Sequence, residues 1–418
     1  MRFYVTKILI ACWLVIMALY SPAQNNYTLK QAISQAKANN PLLKNEKFNI
    51  DIAQSDVVTA KLRPNPILNN QTLQLLNPSL FPENTTSFSP FNRQVWWQLT
   101  KPVQLPTQRR YKIEFASQTH KLTEKNYYET ERNISLKVAN KWLDGWIIKT
   151  KLGLLQQAQV NLDSLVKINE VRLKNQVITS TDAIRTQLLL DQYNLQLNSI
   201  KQEYKNEIQN LKLLLGTSDS ADIDINAAIE SLSIIASYDS LLNQALKNRT
   251  DILTIQNTVD LSMSNINLQK SLAWPQPELG FIWNPQNTIP YAGVFATIDI
   301  PVFSRNQGEI QKSKIIRQQA EQNLQSTQLK IQTEITSAYQ LWQTQKQNLQ
   351  KFEGILKQSQ TVLDNVKYAY LKGGTTIIDF LDAQRNWYDT RQLYYETQLS
   401  YYKSYIQLLY STGLINQL

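Results

Sequence analysis

Three stretches of the chain alternate apolar and polar residues with a period of two, the spacing that puts every second side chain on one face of a strand. Val95, Trp97 and Leu99 share a face in residues 95–100, Leu279, Phe281 and Trp283 do so in 277–283, and Val294, Ala296, Ile298 and Ile300 in 291–300. The stretch 66–75 alternates poorly and reads as a strand only by analogy with its partner in the repeat described below.

Proline positions divide the rest, because proline breaks long helices. Pro22, Pro41, Pro64, Pro66, Pro78, Pro82, Pro90, Pro102 and Pro106 lie in the first part, Pro275, Pro277, Pro285, Pro290 and Pro301 in the second. Spans 107–274 and 302–418 are free of proline and rich in Gln, Leu, Lys, Glu and Ala, residues that favour helix.

The same order of features occurs twice. Arg63-Pro64-Asn65-Pro66-Ile67-Leu68 matches Trp274-Pro275-Gln276-Pro277-Glu278-Leu279, and Lys101-Pro102-Val103 matches Ile300-Pro301-Val302. Val171-Arg172-Leu173-Lys174 matches Ala369-Tyr370-Leu371-Lys372, Asp182 matches Asp379 if one residue of shift is allowed, and Leu213-Leu214-Leu215-Gly216 resembles Tyr410-Ser411-Thr412-Gly413. Each half predicts helix, strand, loop, strand, long helix, turn and helix. The expected division is a signal over 1–23, a first repeat over 24–216, a polar linker over 217–240 and a second repeat over 241–418. The first strand-strand loop, with Pro78 and Pro82 in it, is 12 residues longer than its counterpart.

A helix from Thr107 to Leu173 has 67 residues and spans on the order of 100 Å at the helical rise; Ser304 to Leu371 predicts a second of similar length. Helices that long demand a coiled coil or a barrel of helices. Strands of about ten residues suit a tilted membrane-spanning β-strand, yet four cannot close a barrel. Open sheet edges are not tolerated in lipid, so the strands need partners from other copies, and three copies give 12 strands. The expected fold is mainly α with a small membrane β-barrel, a homotrimer embedded in outer-membrane lipid. Trp96, Trp97, Trp283 and Tyr291 near the strand ends fit either an interfacial girdle or buried packing.

Composition narrows the function. Arg2 and Lys7 precede the apolar run from Ile8 to Tyr20, and Ser21-Pro22-Ala23 follows, the pattern of a secretory signal with a mature chain from Gln24. A competing reading makes Leu9-Ile10-Ala11-Cys12 a lipidation box, but the apolar run continues eight residues past Cys12. Without the signal the chain has no cysteine, one histidine, His120, and one methionine, Met263. Disulfides, thiol chemistry and soft-metal sites within one copy are thereby set aside, and His120 reads as a solvated side chain. The net charge of +10 becomes +8 once Arg2 and Lys7 leave, and the basic residues are scattered among Gln, Asn and Glu, so nucleic acid is not expected as a partner. No later segment has twenty or so uninterrupted apolar residues. No nucleophile motif, metal cluster or phosphate loop is present, so no catalytic residue, resident metal or cofactor is expected.

The duplicated layout, together with Tyr370-Leu371-Lys372-Gly373-Gly374-Thr375-Thr376-Ile377-Ile378-Asp379-Phe380-Leu381-Asp382-Ala383, resembles the TolC-type outer-membrane efflux channel family. The resemblance implies a trimeric β-barrel continued by a periplasmic helical tunnel, docked to a periplasmic adaptor and an inner-membrane pump. It further implies that Asp379 and Asp382, three residues apart on one helix face, line the periplasmic constriction as acidic rings. Tyr370, Thr181 and Asp182 match positions that tie neighbouring helix pairs shut, and Thr375 stands where the family has its gate arginine. From spacing alone, the reading that Asp379 and Asp382 merely cap or solvate a helix start is the stronger one; the resemblance reverses that order. In the first half Asn175 stands where the family has glycine and is expected to take the left-handed turn. The compact chain resembles the heavy-metal-cation branch. Its expected role is a passive exit duct for metal cations or small toxic compounds; a type I protein secretion channel and a periplasmic coiled-coil adaptor are the alternatives, although an adaptor would lack the duplicated strand pairs.

Overall fold

The computed structural model describes residues 25–226, 237–286 and 289–418; the expected signal, with Cys12, and residues 227–236 of the expected linker lie outside the described residues. In chain order the elements are β1 (Asn25–Tyr27), α1 (Leu29–Asn39), α2 (Pro41–Lys61), β2 (Ile67–Gln74), β3 (Arg93–Pro102), α3 (Pro106–Lys174), α4 (Ser180–Leu215), β4 (Ala221–Ile223), α5 (Tyr238–Asn248), α6 (Thr250–Leu272), β5 (Glu278–Gln286), β6 (Ile289–Thr297), α7 (Gln307–Leu371) and α8 (Ile377–Thr412). Two compact units emerge. One takes the described residues of Met1–Asn45, with Tyr128–Thr250 and Gln328–Leu418; the other takes Glu46–Tyr127 and Asp251–Thr327.

The second unit holds the antiparallel sheet, in the order β2-β3-β5-β6. The poorly alternating stretch is a strand after all, because all eight residues of β2 pair with β3, from Ile67 opposite Thr100 to Gln74 opposite Arg93. β6 ends at Thr297, opposite Glu278, rather than at Ile300. Its partner β5 starts just after Pro277, which has no N–H for the ladder, and the Pro277 carbonyl instead accepts from Val103 N at 2.8 Å. Helix α7 likewise starts three residues later than Ser304. Asn306 sits at φ +57°, and its amide donates to the Gln269 carbonyl of α6 at 2.9 Å, so 304–306 form a turn anchored to α6.

Within the first unit, α3 and α4 form one hairpin and α7 and α8 another. Leu155, Leu162, Leu189 and Tyr193 of the first pack with Tyr370, Phe380, Trp387 and Tyr388 of the second. Trp142, Leu211, Leu215, Ile223, Tyr405 and Leu409 are buried as well. Ile223 belongs to a short parallel pair, β1 with β4, inside what reads from sequence as linker. Gly145 in α3 makes room for it: a Cβ there would lie 2.3 Å from Ile223 Cδ1. That close approach explains a glycine inside a helix, where it otherwise costs about 0.5–1 kcal/mol.

Both short N-terminal helices of the repeats break where single helices are expected, and both breaks are working joints. Asn40, 3% exposed, accepts from Leu42 N at 2.9 Å to start α2 and donates through Nδ2 to the Leu214 carbonyl at 2.7 Å. In the second half Arg249, 1% exposed, donates through Nη1 to the Ser411 carbonyl at 2.8 Å. Each thus satisfies a carbonyl in the last turn of its repeat's final helix, which the helix itself leaves unpaired. Gly216 and Gly413, at φ +65° and +77°, end those two helices in the left-handed conformation.

Candidate functional site at the helix-hairpin turns

The two hairpin turns are built alike. At the end of α3, Val177 N donates to Arg172 O at 2.8 Å and Gln176 N to Leu173 O at 2.9 Å; at the end of α7, Gly374 N donates to Ala369 O at 2.8 Å and Gly373 N to Tyr370 O at 3.1 Å. Both are Schellman endings. The matching backbone pattern corrects the sequence alignment by one residue. Gln176, at φ +57°, is the counterpart of Gly373, at φ +78°, and Asn175 is not in the left-handed region. A glutamine there is strained relative to glycine. Gln176→Gly is accordingly expected to stabilise this turn by about 0.5–1 kcal/mol, checked by denaturant unfolding; a loss of stability would contradict the assigned conformation.

Each turn then opens a helix with a reciprocal capping box. Thr179 N and Oγ1 donate to the Asp182 carboxylate at 3.3 and 2.8 Å, and Asp182 N returns a bond to Thr179 Oγ1 at 3.2 Å. In the second turn Asp379 Oδ2 accepts from Thr376 Oγ1 at 2.6 Å, from Thr375 Oγ1 at 2.7 Å and from Thr376 N at 3.1 Å. Thr375 therefore engages Asp379 within its own turn. Asp382, one helical turn on and exposed, accepts from Asn386 Nδ2 at 3.1 Å. Thr181 is exposed one residue into α4.

These bonds set the charge on Asp379. The Thr376 hydroxyl first, then the Thr375 hydroxyl and the Thr376 N–H, hold its carboxyl below the ordinary value of 3.8. A depressed carboxyl contributes its stabilisation above the unfolded value and loses it only as pH falls through the lower folded value. The turn's carboxylate is therefore expected to keep its negative charge at pH 4–5 and to give it up as pH falls below 3.8. An NMR titration of Asp379 with a midpoint above that value would refute this.

Tyr370 is buried and hydrogen-bonds from one hairpin to the other within the chain. Its hydroxyl donates to Asn169 Oδ1 at 2.8 Å, Asn169 Nδ2 donates to Thr186 Oγ1 at 2.9 Å, and Thr186 Oγ1 donates to the Asp182 carbonyl at 3.0 Å. Its ring stacks on Phe380 with centroids 5.3 Å apart and 7° between planes, and the Arg172 guanidinium lies 4.7 Å from the ring centroid. One polar chain thus links α7 through α3 to α4. Among the described residues, no group of three or more His, Cys, Asp and Glu side chains is placed to hold a metal.

The sheet of the other unit has two unlike faces. Leu68, Trp97, Leu99, Leu279, Phe281, Trp283 and Val294 share one and are all exposed, with Trp97 opposite Trp283 and Leu99 between Leu68 and Phe281. The other face is mixed: Asn69, Gln71, Gln98, Thr100 and Asn284 lie on it beside Ile67, Trp96, Ile282, Tyr291 and Phe295. Among the described residues β2 and β6 each pair on one side only.

The model of the family described as "Outer membrane efflux protein" matches residues 241–414. Less than half of the chain is thus similar to that family. The cation efflux system protein CusC of Escherichia coli K12 is 24% identical over 199 residues, which is 44% of this chain and 42% of CusC; the matched segment is thus less than half of that relative's length. A crystal structure of CusC superposes with a TM-score of 0.78 at 18% identity, covering 93% of this chain and 92% of that one. A membrane protein from Pseudomonas aeruginosa gives 0.76 at 15% identity, covering 93% and 90%, and the Campylobacter jejuni CmeC outer membrane channel gives 0.73 at 16%, covering 92% and 85%. At these identities the likeness shows the fold: long helical hairpins joined to a small sheet, as the sequence predicts.

As members of this site, Asn169, Thr186, Phe380 and Arg172 escaped the sequence reading. A signal was available for Asn169, which lies seven residues after Leu162 and fourteen after Leu155, both fully buried. A polar side chain on such a heptad stripe marks a specified contact.

Proposed function

We propose that this chain is the outer-membrane channel subunit of a tripartite efflux system, a passive exit duct rather than an enzyme, completed as a homotrimer. The observation that carries this is the sheet. A face of exposed apolar side chains and two edge strands that pair on one side only suit a third of a closed 12-stranded barrel with that face toward lipid. The helical hairpins would continue the duct through the periplasm, where adaptor and inner-membrane pump would dock. Acidic turns at Asp379 and Asp382 would form two rings at the narrow end, with Tyr370, Thr181, Asp182 and Thr375 governing how the hairpins close.

Metal cations are the favoured cargo, in line with what the name of CusC says of that protein. Acidic rings attract a hydrated cation without chelating it, and weak binding allows exit as well as entry. Even in water a carboxylate a few ångströms from a unit charge is worth roughly 1 kcal/mol. Purified oligomers in planar bilayers should therefore conduct with a preference for cations and be blocked by multivalent cations from the periplasmic side. The double variant Asp379→Asn, Asp382→Asn should weaken that block at least about tenfold, several carboxylates being lost at once. A non-conducting oligomer would overturn the duct, and an unchanged block would remove the aspartates from the constriction.

A further inference from the structure

Where β3 runs into α3, a groove of about 560 Å³ opens, lined by Arg63, Pro64, Lys101, Pro102, Val103, Gln104, Pro106, Arg109, Arg110 and Ile113. Four of these side chains are cationic, and among the described residues none of the four is in an ion pair. Two of their polar contacts are to the protein itself: Arg109 Nη2 donates to the Lys61 carbonyl at 2.8 Å and Arg110 Nη2 to Tyr111 Oη at 2.8 Å. Arg109 Nε and Gln104 Oε1 are buried with no hydrogen-bond partner. A buried donor left unpaired usually costs 1–3 kcal/mol, so its presence in the wall of a cationic groove calls for an acceptor from outside. The positive end of α3, which starts at Pro106, adds to the field.

Position selects the ligand. Lys101 stands opposite Leu279 on the same face as Leu99 and Trp97, so the cations border the apolar face at one end of the sheet. A free anion would need no such neighbour. A glycerophospholipid fits both halves, acyl chains along Leu99, Phe281 and Trp283 and the phosphate among the guanidinium groups. We infer that this groove binds the headgroup of an anionic phospholipid in the leaflet where the barrel meets the helices. The inference rests on the membrane reading of the sheet given above and adds a site, a headgroup charge and a depth to it.

Detergent-extracted, delipidated oligomer should be titrated with phosphatidylglycerol, phosphatidylcholine of the same chain length and inorganic phosphate, with bound lipid counted by native mass spectrometry. Phosphatidylglycerol should bind at least tenfold more tightly than phosphatidylcholine. Each basic residue near an anionic headgroup contributes roughly fivefold, so Arg63→Gln, Lys101→Gln and Arg110→Gln together should weaken phosphatidylglycerol about a hundredfold. Should the triple variant fail to assemble, Arg110→Gln alone should still lower affinity about fivefold. Equal affinity for the two lipids, or an unchanged value in the variants, would overturn the site. Inorganic phosphate binding as tightly as the lipid would also overturn it. Absence of the protein from the membrane fraction would count against the channel reading itself.

Discussion

Replacing Arg132 with alanine is expected to cost about 3–5 kcal/mol, the usual penalty for breaking a buried ion pair from one side. Arg132 is 2% exposed. Its Nε and Nη2 grip both oxygens of Glu129 at 2.8 Å, its Nη1 donates to the Tyr410 carbonyl at 3.0 Å, and its guanidinium lies 4.1 Å from the Tyr410 ring centroid. Glu129 also accepts from Thr250 Oγ1 and from Asn133 Nδ2. Without the arginine, a half-buried carboxylate loses its countercharge and α8 loses a cap one residue before the carbonyl held by Arg249. The two arginines together place positive charge at the negative end of α8. Arg132→Lys should recover only part of the loss, since an ammonium cannot make the two-pronged contact. Urea unfolding followed by helical signal checks this; a cost under about 1 kcal/mol, the scale of a surface pair, would show the network to be dispensable.

The second large effect is expected at Tyr370. Tyr370→Phe keeps the stack on Phe380 but leaves Asn169 Oδ1 without its donor inside a packed core, a cost of about 1–3 kcal/mol. Asn169→Leu, which removes the other partner, should cost a similar amount through the orphaned Tyr370 hydroxyl. The double variant should cost less than the sum, because both ends of the bond then vanish together. Since the chain of bonds joins the two hairpins, both single variants should also raise the resting conductance of reconstituted channels. Strict additivity of the two single effects, with conductance unchanged, would show that this bond does not hold the hairpins together.

How far the fold could be read from sequence differed by element, for physical reasons. Val95, Trp97 and Leu99, and Leu279, Phe281 and Trp283, announced their strands because large apolar residues recur there at every second position. β2 carries Asn69, Asn70, Gln71 and Thr72, and only its ladder to β3 makes it a strand. The long helices were visible as proline-free spans, with α3 observed at 69 residues. β1 and β4, three residues each, are held by parallel pairing across about two hundred positions of sequence, which no local pattern encodes.

At the candidate site, the capping boxes at Thr179 and Thr376 follow from local sequence, and Asp379 was singled out with its role as a helix cap already in view. What stayed hidden was long-range. Arg132 and Arg249 look like ordinary surface arginines until the end of α8 folds onto them, and Asn169 gains its meaning only when Tyr370 arrives from the other hairpin. The left-handed residue of the first turn was misplaced by one position, because sequence similarity favoured aligning Lys174 with Lys372, whereas the backbone aligns Lys174 with Leu371.

The central claim is that three copies close one barrel through the free edges of β2 and β6. Native mass spectrometry of the protein extracted from outer membranes in mild detergent tests it most directly. The account predicts a single species of three chains, which falls apart when proline substitutions disrupt pairing along β2 or β6. A stable single chain, or an assembly of two or four copies, would contradict it.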